Sequence, residues 1–167
     1  MVQSALAAEA AGAAQSLVVA ALLHDIGYFL HPEAENSIEE GRNIEHEALG
    51  AAWLSRAFGS DVTAPIALHV EAKRYLCAAE PDYFDRLSEA SRLSLMTQGG
   101  PMNREEREAF RKNPAFEAAL SLRRCDDLGK DPFLETPPVE HFRALLEAQL
   151  RPGARSWREL PHEPSAE

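Results

Sequence analysis

The chain has 167 residues, 45% of them hydrophobic and 26% charged, with 17 Lys and Arg against 27 Asp and Glu. That length fits one domain, and the composition excludes a disordered, collagen-like or disulfide-scaffold protein. A net charge of −10 argues against an electrostatically driven nucleic-acid binder, yet leaves room for a small anionic substrate held by a few local cations.

Ala, Leu and Glu dominate and alternating runs of Val, Ile and Thr are missing, so the pattern predicts an all-α fold. A first helix covers residues 2–11 and ends at Gly12. Ser16 caps a second, which buries Leu17, Leu22 and Leu23 and ends near Gly27. Residues 30–43 read as a long loop with Pro32 and Gly41. Asn43 caps a third helix that runs through Phe58 and stops at Gly59. Asp61 caps a fourth, with Pro65 in its first turn, running through His69. A fifth covers 82–97, and Gly99-Gly100-Pro101 breaks the chain. Asn103 and Glu106 have capping-box spacing. Helices follow over about 104–112, 114–128 and 139–150. Residues 1–150 therefore read as one helical domain and 151–167, with three prolines, as a loose tail. There is no internal repeat.

The longest apolar stretch, Leu17 to Leu23, falls short of the roughly 20 residues of a membrane span. The N-terminus carries no basic segment or signal-peptide core. Cys77 and Cys125 form no metal-type pair and suit a reducing cytoplasm. The expectation is a cytoplasmic protein with neither a membrane nor a nucleic acid as partner.

Chemistry concentrates in a spaced set of ligand-type residues. His24-Asp25 closes the most apolar helix, where an unpaired carboxylate is expensive unless a cation keeps it charged. His46 and His69 follow on separate helices at intervals of 22 and 23 residues, and Asp126 comes late on another. Each histidine alone is more often a surface or satisfied core residue. Together, three imidazoles and two carboxylates suit a di-metal site between the helices of a bundle. His31, His141 and His162 lack such placement and read as structural or solvent-exposed.

This order of His-Asp, His, His and a late Asp resembles the HD-domain superfamily of all-α metal enzymes. The stretches LLHDIG (22–27), HVEAKRYL (69–76), LSEASRLSLMTQGGPM (87–102) and RRCDDLGK (123–130) look like the HD-domain oxygenases encoded with phosphonate-degradation genes. The resemblance covers about residues 1–150. It implies cleavage of the carbon–phosphorus bond of a 1-hydroxylated aminoalkylphosphonate with O₂ at a mixed-valent Fe(II)/Fe(III) pair, a chemistry similar to that of myo-inositol oxygenase. Carried over, His24, Asp25 and Asp126 bind one iron, Asp25 bridges, and His46 and His69 complete the second. Ligand types alone would also admit Mn²⁺, Zn²⁺ or Mg²⁺ in some positions.

Lys73 lies one helical turn after His69, and Arg123 one turn before Asp126. Both read as phosphonate contacts, with Ser94 and Gln98 as further donors. The plainer reading of the two cations is a solvated helix surface, and of Ser94 and Gln98 a helix cap. Relatives often carry His where this chain has Tyr28, which still hydrogen-bonds a substrate but is a poor base at neutral pH. The family also carries a further histidine ligand about one helix before the His-Asp pair. By spacing it belongs just upstream of Met1, and residues 1–23 contain none. The competing expectations are an HD-type metal-dependent phosphohydrolase of a nucleotide or phosphate ester, and a non-catalytic metal- or ligand-binding module. No oligomeric state follows from the sequence.

Overall fold

With its strong helix formers and few β-branched runs, this chain has little to gain from strands. The computed structural model describes residues 1–31 and 41–154, and among them it is all-α, as expected. In chain order the helices are α1 (Val2–Ala10), α2 (Gln15–Leu23), α3 (Ile26–Leu30), α4 (His46–Leu54), α5 (Ser60–Ala79), α6 (Tyr83–Arg86), α7 (Glu89–Thr97), α8 (Arg104–Phe110), α9 (Phe116–Leu128) and α10 (Arg143–Ala148), the last preceded by a 3₁₀ turn at Val139–Phe142. Most of the predicted loop over 30–43 and the tail beyond residue 154, His162 included, lie outside the described residues.

The central element is α5, a 20-residue rod of about 30 Å. It runs through His69, as expected, and ten residues beyond it, so that His69 and Lys73 share one helix. Its N-cap is Gly59 and not Asp61, which sits in the first turn and there complements the helix dipole. Pro65 stands in the second turn, so α5 forgoes one internal hydrogen bond there. Helices α9, α4 and α2 all pack against α5, and α1 packs on α2 and α9.

Two apolar clusters result. The first gathers Ala5, Ala8, Val19, Leu22, Leu54, Val62, Ile66, Leu122 and Phe142. The second gathers Ala72, Tyr75, Leu76, Leu95, Met102, Phe110 and Ala119. Along α5, His69 falls between Ile66 of the first and Ala72 of the second.

The predicted second helix ends as α2 at the His24-Asp25 turn, and a separate short helix, α3, follows. The predicted fifth helix is broken. Residues 83–97 form α6 and α7, interrupted at Leu87-Ser88, where the Ser88 hydroxyl caps α7 by accepting from the Ser91 N–H. The third helix begins at His46 and not at residue 44. The Asn43 side chain instead accepts from the Glu45 N–H, and Glu45 adopts a left-handed conformation, φ 49°. The Asn103–Glu106 capping box forms as its spacing predicts.

Gly27 brings α3 and α4 together. A β-carbon built on it would lie 1.9 Å from the His46 carbonyl oxygen, so no larger residue fits. The start of α4, with His46, is thereby held beside the His24-Asp25 turn. At the other end, Leu150 bridges Phe58 and the Arg151 N–H donates to the Ala57 carbonyl at 2.8 Å. No described helix is long and apolar enough to cross a membrane.

Candidate metal centre

The helix break at His24-Asp25 makes the centre. Asp25 stands at the N-cap of α3, where an aspartate ordinarily accepts from a backbone N–H of the first turn. It makes no such bond. Its two oxygens point in different directions. Oδ2 lies 3.1 Å from His24 Nε2, while Oδ1 lies 3.4 Å from His46 Nε2 and 3.9 Å from His69 Nε2. On the first side Asp126 Oδ1 adds a second carboxylate, 3.4 Å from His24 Nε2. On the other, the His46 and His69 Nε2 atoms stand 3.1 Å apart. Ligand atoms of Asp25, His46 and His69 all lie within 4.8 Å of one another. The five residues singled out by spacing thus meet as two adjoining clusters that share Asp25.

These side chains are poorly provided for without a cation. His24 is 1% exposed, and its Nε2 has no hydrogen-bond partner. Its Nδ1–H donates to the Ala21 carbonyl at 2.9 Å, and that of His69 to Ile66 at 2.8 Å. Both rings therefore turn Nε2, and not Nδ1, toward the centre, where an ion would replace the His46 contact of His69 and the carboxylate contacts of His24. Burial alone would lower the pKa of His24, but contact with Asp126 and Asp25 outweighs it and raises it to about 10. In effect the two carboxylates demand a positive charge at this point, and a metal ion supplies one in place of the proton. His69, buried and facing the charges of His24 and His46, is lowered to about 3 and stays neutral. Against the penalty of burial, His24 holds both Asp25 and Asp126 well below the usual carboxylate range, with Arg123 also acting on Asp126. Three imidazoles and two ionised carboxylates are a donor set suited to divalent or trivalent ions, and Asp25, His46 and His69 stand close enough to hold one.

Beside this centre opens a cavity of about 350 Å³. Asp25, Tyr28, His46, His69, Lys73, Ser94, Gln98, Arg123 and Asp126 are among the residues that line it. All ten residues predicted for the site therefore border one space or, for His24, stand just behind it. Lys73 is 2% exposed and donates to the Ser94 hydroxyl at 2.8 Å. Burial, and then the charge of Arg123, brings its pKa down to about 7. Gln98 Oε1 is buried without a hydrogen-bond partner. The Tyr28 ring stacks on His46, centroids 4.1 Å apart. Burial and the nearby Asp25 push its hydroxyl up to about 12, so it remains a donor.

Arg123 is engaged differently from the predicted phosphonate clamp. Its guanidinium contacts Asp126 Oδ2 at 2.8 Å and Asp127, and its Nε–H donates to the Tyr83 hydroxyl at 3.0 Å. Most of the fork is spent on holding these groups. Sequence reasoning missed Lys130, Ser91, Tyr83 and Asp127. Lys130 Nζ donates to the Ser91 hydroxyl at 3.2 Å and lies 3.4 Å from Asp126. The signal for it was available, since Lys130 follows Asp126 by four residues just as Lys73 follows His69. Lys73, Arg123 and Lys130 all bond Ser91, through its carbonyl or its hydroxyl. Three cations thus converge on one wall of the cavity although the chain is acidic overall.

The family model for the HD domain matches residues 2–109, a span holding four of the five candidate ligands. The chain belongs to the HD-domain family. This HD-domain chain is 44% identical, over 90% of its length and 76% of the relative's, to a protein of Leisingera caerulea named [1-hydroxy-2-(trimethylamino)ethyl]phosphonate dioxygenase (glycine-betaine-forming). It is 42% identical, over 89% of its length and 74% of the relative's, to hydroxymethylphosphonate dioxygenase of Gimesia maris. Both relatives are dioxygenases whose names specify a phosphonate bearing a hydroxyl.

Proposed function

We propose that this HD-domain protein is a di-iron oxygenase that cleaves the carbon–phosphorus bond of a 1-hydroxy-2-aminoalkylphosphonate in organophosphonate catabolism. The observation that carries the reading is the pair of Asp25 oxygens, one turned to each histidine cluster, beside a cavity walled by three cations. The two phosphonate dioxygenases at 42–44% identity support the choice of reaction.

In this reading His24, Asp25 and Asp126 hold one iron and Asp25, His46 and His69 the other. The iron pair supplies O₂ activation and lowers the pKa of the substrate hydroxyl. Lys73 and Lys130, with the Ser91 and Ser94 hydroxyls between them, bind the phosphonate oxygens. Arg123 keeps Asp126 and Asp127 in place and adds positive charge behind the anion. Gln98 offers its buried amide, and Tyr28 its hydroxyl, to the hydroxyl or amine of the substrate. The balance is simple. The bond from phosphorus to the carbinol carbon breaks, the carbon leaves as a carboxylate and phosphorus as phosphate. One O₂ provides both added oxygen atoms and takes up four electrons.

The test is anaerobic loading with Fe(II), followed by O₂ uptake and phosphate release on 1-hydroxy-2-aminoethylphosphonate. The expected result is one phosphate per O₂ and no phosphate without O₂. Equal phosphate release from a phosphate ester under argon would instead identify a phosphohydrolase.

A further inference from the structure

His24 and His69 lie at the end of α2 and within α5, so each can donate Nδ1–H to a carbonyl three residues earlier. His46 has no such option. It is the first residue of α4, and the left-handed Glu45 before it carries the preceding backbone out of helical register. What stands beside it instead is Glu47. The Glu47 Oε2 lies 3.2 Å from His46 Nδ1, an ion-pair distance, and neither buried atom makes a hydrogen bond among the described residues, to the other or elsewhere. The Glu47 side chain is 13% exposed. A carboxylate hidden beside an imidazole nitrogen is costly unless the two share a proton.

We infer that Glu47 is a positioning residue whose carboxylate, once an ion is held with His69 and Asp25, accepts the Nδ1 proton of His46 and so presents Nε2 unprotonated to that ion. The inference rests on the metal-site reading above. Glu47 fixes the ring in its plane while Tyr28, stacked on its face, limits its tilt. Because the partner is an anion and not a peptide carbonyl, His46 becomes the most strongly donating of the three imidazoles. The two ions then differ in environment as well as in ligand count.

The test uses the full chain loaded with Zn(II), which is diamagnetic, and compares the wild type with Glu47→Gln, Glu47→Leu and His69→Ala. In the wild type, ¹⁵N-resolved imidazole spectra should show His46 protonated at Nδ1 with a downfield-shifted proton. Glu47→Leu should lose that shift and bind Zn(II) at this site about 10–100-fold more weakly, the usual effect of removing such a partner. Glu47→Gln keeps the shape and an acceptor but not the charge. Its proton should move upfield and its affinity fall several-fold, so it carries the test if Glu47→Leu does not fold. Wild-type affinity and an unmoved His46 proton in Glu47→Gln, with Zn(II) lost in His69→Ala, would overturn the role of Glu47 and leave the metal site standing. Full Zn(II) binding in His69→Ala would overturn the metal site itself.

Discussion

Asp25 serves two neighbours at once, and its two oxygens cannot be replaced separately. Asp25→Ala should therefore empty both metal positions, whereas Asp126→Ala should empty only the one at His24. Metal content after gel filtration decides, and a full complement in Asp25→Ala would contradict a shared ligand. Lys73 makes a second case. With its folded pKa near 7 and an unfolded value near 10.5, the unfolded chain binds more protons between those limits. Lys73 thus costs stability at neutral pH and the cost disappears as pH rises toward 10.5. Metal-free Lys73→Met should be more stable than the wild type at pH 7, with the advantage fading by pH 10.5 in urea titrations. The same substitution should weaken phosphonate binding by about 1.5–3 kcal/mol, the scale of a charge-assisted hydrogen bond. At this scale the sequence was informative wherever a residue type is chemically rare on a buried face. Lys130 and Glu47 escaped because a lysine just past a helix end and a glutamate in a first helical turn are ordinary surface choices.

The helices were legible where a local rule governs them. The Asn103–Glu106 box formed, and α1 ends one residue before its predicted stop. The errors fall where tertiary contacts decide. Past His69, α5 continues through good helix formers, Ala72, Lys73, Arg74 and Leu76, and Ala72, Tyr75 and Leu76 bury in the second apolar cluster. The end of α2 at His24-Asp25 was legible, whereas α3 beyond it was not, because Gly27 reads as a helix end. Gly27 acts there through its missing side chain, as the point where α3 touches α4. Gly27→Ala should destabilise the protein by at least the roughly 1–3 kcal/mol typical of overpacking, because the opposing atom is backbone and cannot rotate away. It should also displace His46 and weaken metal binding. A thermal melt unchanged from wild type would mean that α3 has more room than the contact allows.

For the whole molecule, the fold class and the grouping of the five candidate ligands followed from the sequence, while the acidic balance gave no hint of how its cations are gathered. A net charge of −10 repels a phosphonate at long range, and the cations attract it only near the cavity. Salt screens the distant repulsion more than the buried attraction. Raising NaCl from about 10 mM to about 150 mM should therefore speed phosphonate association, opposite to the response of a basic nucleic-acid binder. Stopped-flow rates at the two concentrations check the sign.

The clasp of Arg151 on Ala57 closes a long loop of chain, and that loop contains His69 and Asp126 but not His24, Asp25 or His46. Bound ions would stitch the open N-terminal part to the closed remainder, much as a pair of disulfides would. Apo and loaded protein should then differ less in helix content than in the rigidity of the seam. Amide exchange should slow on loading along α2 and α9, which meet at the centre, and change little in α10, none of whose residues line the cavity.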